Sequence, residues 1–207
     1  MAVRGRRILA PVAAPTPLPA PVAGTHLVLA GEPVDLRARV LVAGVVPPPR
    51  FGREGEVLAT AAAVRAAGAD LVDVSLPPRL AAPVAQAGTG PVAMLAASAA
   101  DAEAALRAGA DVVFVAPDLA GELADRPGGA FAVLVDDLAG LAGARAVADH
   151  HGLPLAIDAA AWTGPEAVGR EAAAVALGCR LIRTADVRRS RRVAEVMGAI
   201  VAARAGT

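Results

Sequence analysis

The chain's 207 residues suit one domain with a sizeable core, and a formal net charge of zero gives no overall attraction to nucleic acid or to an anionic membrane surface. It is 56% hydrophobic with a mean hydropathy of +0.53. No apolar run reaches the roughly 18 residues of a membrane span, and lysine, asparagine and tyrosine are absent, which excludes any mechanism needing a lysine amine or an asparagine amide.

Residues 1–24 carry Pro11, Pro15, Pro17, Pro19 and Pro21 among alanines, a density that forbids both helix and sheet and predicts a flexible tail. Arg4, Arg6 and Arg7 before Ile8 and Leu9 have the charge pattern of a signal peptide, but the prolines break the apolar region too early. The domain is therefore placed at 25–207. A strand-like run from Thr25 stops at the turn Gly31-Glu32-Pro33, and a second short run over Val34–Leu36 completes a small hairpin. Val40–Val46 is continuously apolar, as in a parallel strand covered on both faces. Pro47, Pro48 and Pro49 end it, and Arg50-Phe51-Gly52 read as a loop.

A unit then recurs. Helical patterning over Gly55–Ala67 turns through Gly68-Ala69-Asp70 into a strand at Leu71–Ser75. Patterning over Ala99–Ala108 turns through Gly109-Ala110-Asp111 into Val112–Val115. Between them lie a short helix, Leu80–Ala87, and a strand, Val92–Leu95. Further strands follow at Phe131–Val135, Leu155–Ile157 and Arg180–Arg183. Alternating strand and helix with right-handed crossovers predict a parallel sheet, and the repeated Gly-Ala-Asp openings favour an α/β barrel of the TIM type over an open sheet. Seven good strands and at most one weak one, in a chain near the lower size limit of about 200 residues, predict a barrel that is minimal or incomplete.

The last unit carries the strongest polar feature. Gly178 is placed to close a helix, Leu181 and Ile182 form a buried strand, and a helix starts near Val187. Arg183 falls at the C-terminal end of that strand, where barrels hold ligands, and offers a planar fork for phosphate, sulfate or carboxylate. Its plain structural alternative is a surface ion pair with Asp186. Asp73 reads either as a group at the barrel mouth or as an internal partner for an arginine, and Asp158 either as a ligand contact or as a helix cap. Arg188, Arg189, Arg191 and Arg192 around Ser190 read as a solvated helix face, since no interleaved aromatics suit them to nucleic acid. The adjacent His150 and His151 face different ways on a helix, no spacing suits a metal, and no cofactor is implied. The single Cys179 reads as packing and suits a reducing cytoplasm.

Several of these stretches resemble dihydropteroate synthase, the pterin-binding barrel of folate biosynthesis. Gly31–Val46 resembles that family's hairpin and first strand, Glu56–Ser75 its second unit, and Leu181-Ile-Arg-Thr-Ala-Asp-Val-Arg188 its closing Arg-Val-His-Asp-Val. The similarity runs from about Thr25 to Ala203. It implies that Arg183 matches the anion-binding arginine and that Asp158 matches the aspartate that reads the pterin ring. The departures are severe. Val46-Pro47-Pro48-Pro49-Arg50-Phe51 replaces Asn-Val-Thr-Pro-Asp-Ser-Phe, so the asparagine that helps hold magnesium and pyrophosphate is gone. The third-strand aspartate is missing from Ala93-Met94-Leu95-Ala96, and the fourth-strand Asn-Asp from Val113-Phe114-Val115-Ala116. The final histidine is Ala185, and the lysine has no counterpart.

Each lost charge-assisted hydrogen bond is worth roughly 1.5–3 kcal/mol. Losing three or four removes about 5–10 kcal/mol, comparable with an entire micromolar affinity of about 8 kcal/mol. The resemblance therefore implies a degenerate synthase-like barrel, a pseudoenzyme that acts by association, as a homodimer or as a heterodimer with a complete synthase paralogue. The alternative is a small enzyme or binder for another anionic small molecule held by Arg183. No nucleic-acid or membrane partner is expected.

Overall fold

A computed structural model describes residues 26–49, 53–75, 78–88, 90–124 and 130–205. The proline-rich stretch over 1–24 and the loop at Arg50-Phe51-Gly52 lie outside the described residues.

The first element is a two-stranded antiparallel hairpin, β1 (His26–Leu29) and β2 (Glu32–Asp35). Its turn sits one step earlier than the sequence suggests. Ala30 (φ 50°) and Gly31 (φ 84°) make the reversal, so Glu32 and Pro33 already belong to β2. Positive φ at both central residues is the two-residue turn whose twist suits a hairpin, and only Gly31 takes that conformation without strain.

Seven parallel strands follow: β3 (Leu41–Val45), β4 (Leu71–Asp73), β5 (Val92–Ala96), β6 (Val112–Val115), β7 (Phe131–Val135), β8 (Leu155–Asp158) and β9 (Leu181–Thr184). Each pairs with the next in sequence, and β9 returns to pair with β3, so the barrel closes at seven strands. The helices between and after them are α1 (Glu54–Ala66), α2 (Pro78–Gln86), α3 (Ala99–Arg107), α4 (Pro117–Leu123), α5 (Leu141–His151), α6 (Glu166–Ala176) and α7 (Val187–Ala205). Closure answers the open question of strand number: no eighth strand is needed to seal the edge between the first and last units. No helix among the described residues is long and apolar enough to cross a membrane.

Alternation along the strands sorts the core into two clusters. Leu41, Ala43, Leu71, Ala93, Val112, Phe114, Ala132, Ala156 and Leu181 fill the bore, and Leu27, Leu29 and Leu36 of the hairpin segment join them from below. The intervening residues, such as Val42, Val72, Val113, Val133, Ile157 and Ile182, pack outward against the helices. At Gly44 the helices come so close that a Cβ would collide with Val64 of α1 and approach Val187 Cγ2 of α7 to 2.6 Å. Cys179 is fully buried, and burial pushes its thiol up to about 12, which leaves it a packing group.

The Gly-Ala-Asp repeat has a structural explanation. Gly68 and Gly109 take positive φ (103° and 94°) and end their helices. The following aspartate then latches back onto the preceding strand. The Asp70 amide donates to Val42 O at 2.8 Å while its Oδ2 accepts from Val42 N at 2.9 Å. Asp111 makes the same pair of bonds with Val92, both at 2.8 Å. Its other oxygen accepts from Ala30 N at 2.8 Å, which seats the hairpin turn on the N-terminal end of the barrel.

Candidate functional site

The bore is apolar through its lower layers and becomes polar at its C-terminal end. Three side chains that follow the inward alternation of β4, β8 and β9 meet there: Asp73, Asp158 and Arg183. Arg183 Nε donates to Asp73 Oδ2 at 2.5 Å, and its Nη1 donates to Asp158 Oδ2 at 2.7 Å. The chain of bonds extends both ways. Ser75 Oγ donates to Asp73 Oδ1 at 2.5 Å and accepts from Leu95 N at 3.1 Å, while Asp158 Oδ1 accepts from Ala160 N at 2.9 Å. It therefore spans the mouth from β5 to the loop after β8.

The three residues picked out in the sequence are thus brought together, but Arg183 faces inward. Its partners are the other two members of the group and not Asp186, which instead accepts from Arg189 N at 3.1 Å at the start of α7. Asp73 is completely buried, and desolvation pushes its carboxyl above the ordinary carboxylate range against the pull of Arg183 and the Ser75 hydroxyl. Burial alone lowers an arginine, but Asp73 and then Asp158 outweigh it, so Arg183 is held above its usual value and keeps its charge. Two carboxylates around one guanidinium leave little demand for a further anion. Of the three Arg183 nitrogens, only Nη2 meets no hydrogen-bond partner among the described residues.

A cleft of about 490 Å³ opens beside this group, with Leu95, Pro117 and Leu134 on its apolar walls and Asp136 and Asp158 as its charged groups. Such a lining accepts hydrogen bonds from N–H groups over an apolar floor.

A second buried polar group was not singled out by the sequence. Glu171 on α6 is fully buried, and its Oε1 accepts from Arg189 Nη2 at 2.8 Å, Arg189 Nε at 3.2 Å and Ser190 Oγ at 2.9 Å. Its Oε2 is buried with no partner among the described residues. The spacing carries a signal: Ala167, Glu171, Ala174 and Val175 fall on one helical face, so the glutamate stands in a buried stripe. The arginine run is likewise not a uniform solvated face. Arg189 and Arg191 turn inward to Glu171 and Asp70, while Arg188 and Arg192 stay exposed. His150 and His151 stack edge to face with ring centroids 4.6 Å apart. Among the described residues no group of three or more metal-ligating side chains converges.

No family model matches the chain, and no curated protein matches it. Solved structures do. The dihydropteroate synthase of Yersinia pestis superposes with a TM-score of 0.60 at 18% identity, covering 88% of this chain and 100% of that one. The Thermus thermophilus enzyme in complex with 6HMPPP gives 0.61 at 20% identity, covering 84% and 99%. The Xanthomonas albilineans enzyme with 4-aminobenzoic acid gives 0.59 at 15% identity, covering 86% and 98%. At these identities the likeness speaks to architecture, and the conclusion is that this chain has the fold of the dihydropteroate synthases, closed with seven strands.

Proposed function

We propose that the chain is a degenerate dihydropteroate synthase-like barrel that does not carry out the synthase reaction and acts by association, within folate metabolism. The observation that carries the reading is the apolar face of the last two helices. Val168, Val196 and Ile200 on α6 and α7, and Leu177 just after α6, are 44%, 61%, 39% and 46% exposed, which makes them four of the six large exposed hydrophobics among the described residues. A groove of about 430 Å³ runs between the two helices, floored by Val168, Ala172, Val193 and Met197 and rimmed by Asp186, Arg188 and Arg192. Val168 and Val196 line that groove, and exposed apolar surface gathered in this way marks an interface. A rim that holds both a carboxylate and arginines is self-complementary under a twofold axis, as an isologous contact requires. The mouth supports the non-catalytic half of the reading, because Arg183 is already matched by Asp73 and Asp158.

Size-exclusion chromatography with light scattering at micromolar concentration tests it. The expected species has twice the 20.5 kDa chain mass, and Val196→Asp is expected to yield a folded monomer whose melting temperature no longer depends on protein concentration. A wild-type monomer that also fails to co-elute with a complete synthase defeats the association reading.

A second reading, an enzyme or binder for an anionic ligand held by Arg183, keeps one favourable observation, the Nη2 group without a hydrogen-bond partner among the described residues. It predicts saturable calorimetric binding of pyrophosphate that Arg183→Gln abolishes.

A further inference from the structure

We propose that the chain carries a second ligand site at the opposite, N-terminal end of the barrel, which takes a small oxyanion of the phosphate type. Three arginines from three parts of the fold gather there around Asp70, and two of them bind its carboxylate. Arg39 comes from the segment between the hairpin and β3, Arg65 from the end of α1, and Arg191 from α7. Arg39 Nη2 donates to Asp70 Oδ1 at 2.5 Å, and Arg191 Nη1 donates to Asp70 Oδ2 at 2.8 Å. Arg65 adds its charge without using that carboxylate, since its Nη1 donates to the backbone oxygens of Ala69 (2.8 Å) and of Asp70.

The neighbouring acids do not correct the imbalance. Both oxygens of Asp70 are engaged, Oδ2 also accepting from Val42 N. Asp111 is held by the backbone amides of Ala30 and Val92, and Asp35 by Arg37. Glu195 approaches Arg191 Nε only to 3.6 Å and is 65% exposed. That Nε is buried with no hydrogen-bond partner among the described residues. Arg191 Nη1 and Nη2 also donate to the backbone oxygens of Gly68 (3.4 Å) and Val40 (3.3 Å), so the site is short of negative charge, and Arg39 and Arg65, which line the cavity, retain N–H donors beyond the bonds named.

The space fits the deficit. A cavity of about 260 Å³ lies among Leu29, Val34, Leu41 and Pro91, with Arg39 and Arg65 lining it beside Asp70. That is below the roughly 300–1,000 Å³ of sites that enclose whole drug-sized molecules, so the cavity suits a phosphoryl or sulfate group with little attached. Guanidinium forks match such a tetrahedral anion in geometry as well as charge. The ligand would fasten the hairpin segment and the first helix together beside the last helix, and would relieve the repulsion among three clustered cations.

The test uses the whole chain. Melting temperature is followed against inorganic phosphate, glycerol phosphate and acetate, with sodium chloride at matched ionic strength as the reference, and phosphorus NMR reads binding of phosphate directly. The expected result is a saturable rise with phosphate beyond the chloride reference, and line broadening of the phosphate signal. A matching response to glycerol phosphate would identify a phosphate monoester as an accepted ligand, and a response to inorganic phosphate alone would identify the free ion. Arg39→Gln is the variant of choice because the Arg39 side chain is 55% exposed and its loss leaves the packing intact. It is expected to weaken phosphate affinity by about tenfold or more, the usual worth of one charge-assisted bond. A shift that chloride or acetate reproduces in full, or a phosphate response unchanged in Arg39→Gln, overturns the site.

Discussion

Arg183 holds two carboxylates that would otherwise face each other across the barrel mouth, and Asp73 among them has no access to water. Removing one partner of a buried pair costs more than forming the pair gains, because a desolvated charge is left behind. Arg183→Ala is expected to lower unfolding free energy by about 3–5 kcal/mol in urea titrations near neutral pH. Asp158→Asn is expected to cost less, since that side chain is 24% exposed. The pH dependence follows from Asp73. Burial raises its carboxyl above the ordinary 3.8, so the folded state holds that proton more tightly than the unfolded chain. The stability it contributes is complete below the unfolded value and is lost as pH rises through the folded one. Asp73→Asn has no such loss. The stability difference between wild type and this variant should move in the variant's favour as pH rises from about 4, and parallel curves would refute the assignment. In the sequence, Arg183, Asp73 and Asp158 were legible as candidates because each falls at the end of an apolar run. Their mutual contact was not, because Asp73 and Arg183 lie 110 positions apart. Glu171 was hidden for a different reason: a glutamate among alanines reads as solvent-facing until the buried stripe is traced through it.

At the scale of elements, β3 and its two covering helices show how tightly the small-residue packing is set. Gly44 allows α1 and α7 to close on the sheet, and an added methyl would meet side chains of both. Overpacking of this kind typically costs about 1–3 kcal/mol. Gly44→Ala should fall in that range by thermal or urea denaturation, and a neutral result would show that the two helices shift freely. The strands themselves were the most legible part of the chain. Each barrel strand opens on an apolar run, its ends were placed to within one or two residues, and the Gly-Ala-Asp openings marked where helices stop. The hairpin turn was misplaced because Gly31-Glu32-Pro33 carries a stronger turn signal than Ala30-Gly31, whereas the pairing of Leu29 with Glu32 puts the reversal earlier. The arginine run misled in the opposite sense, because a cation can turn inward wherever a buried carboxylate from another element awaits it, and local sequence does not display that carboxylate.

For the whole molecule, the fold is built without asparagine and without lysine, and the barrel superposes on solved dihydropteroate synthases. Purified protein supplied with pterin diphosphate and p-aminobenzoate is expected to form no dihydropteroate above a no-enzyme control, and turnover abolished by Arg183→Ala would refute the degenerate reading. The barrel's connectivity also governs how it is assembled. Every barrel strand neighbours its sequence successor except at the junction of β9 with β3. The bonds from Arg183 to Asp73, Arg191 to Asp70 and Arg191 to Val40 O bridge 110, 121 and 151 positions, and all of them lie at or near that junction. Six strand pairings are local and can form in order as a nascent chain emerges, whereas the entropy of ring closure is concentrated in one late event. Until the final β/α unit arrives, β3 presents a bare hydrogen-bonding edge, Asp73 lacks its arginine and Asp70 has only Arg39 of its two. The interval between synthesis of the sixth unit and the seventh is therefore when this chain is most exposed to strand-edge aggregation.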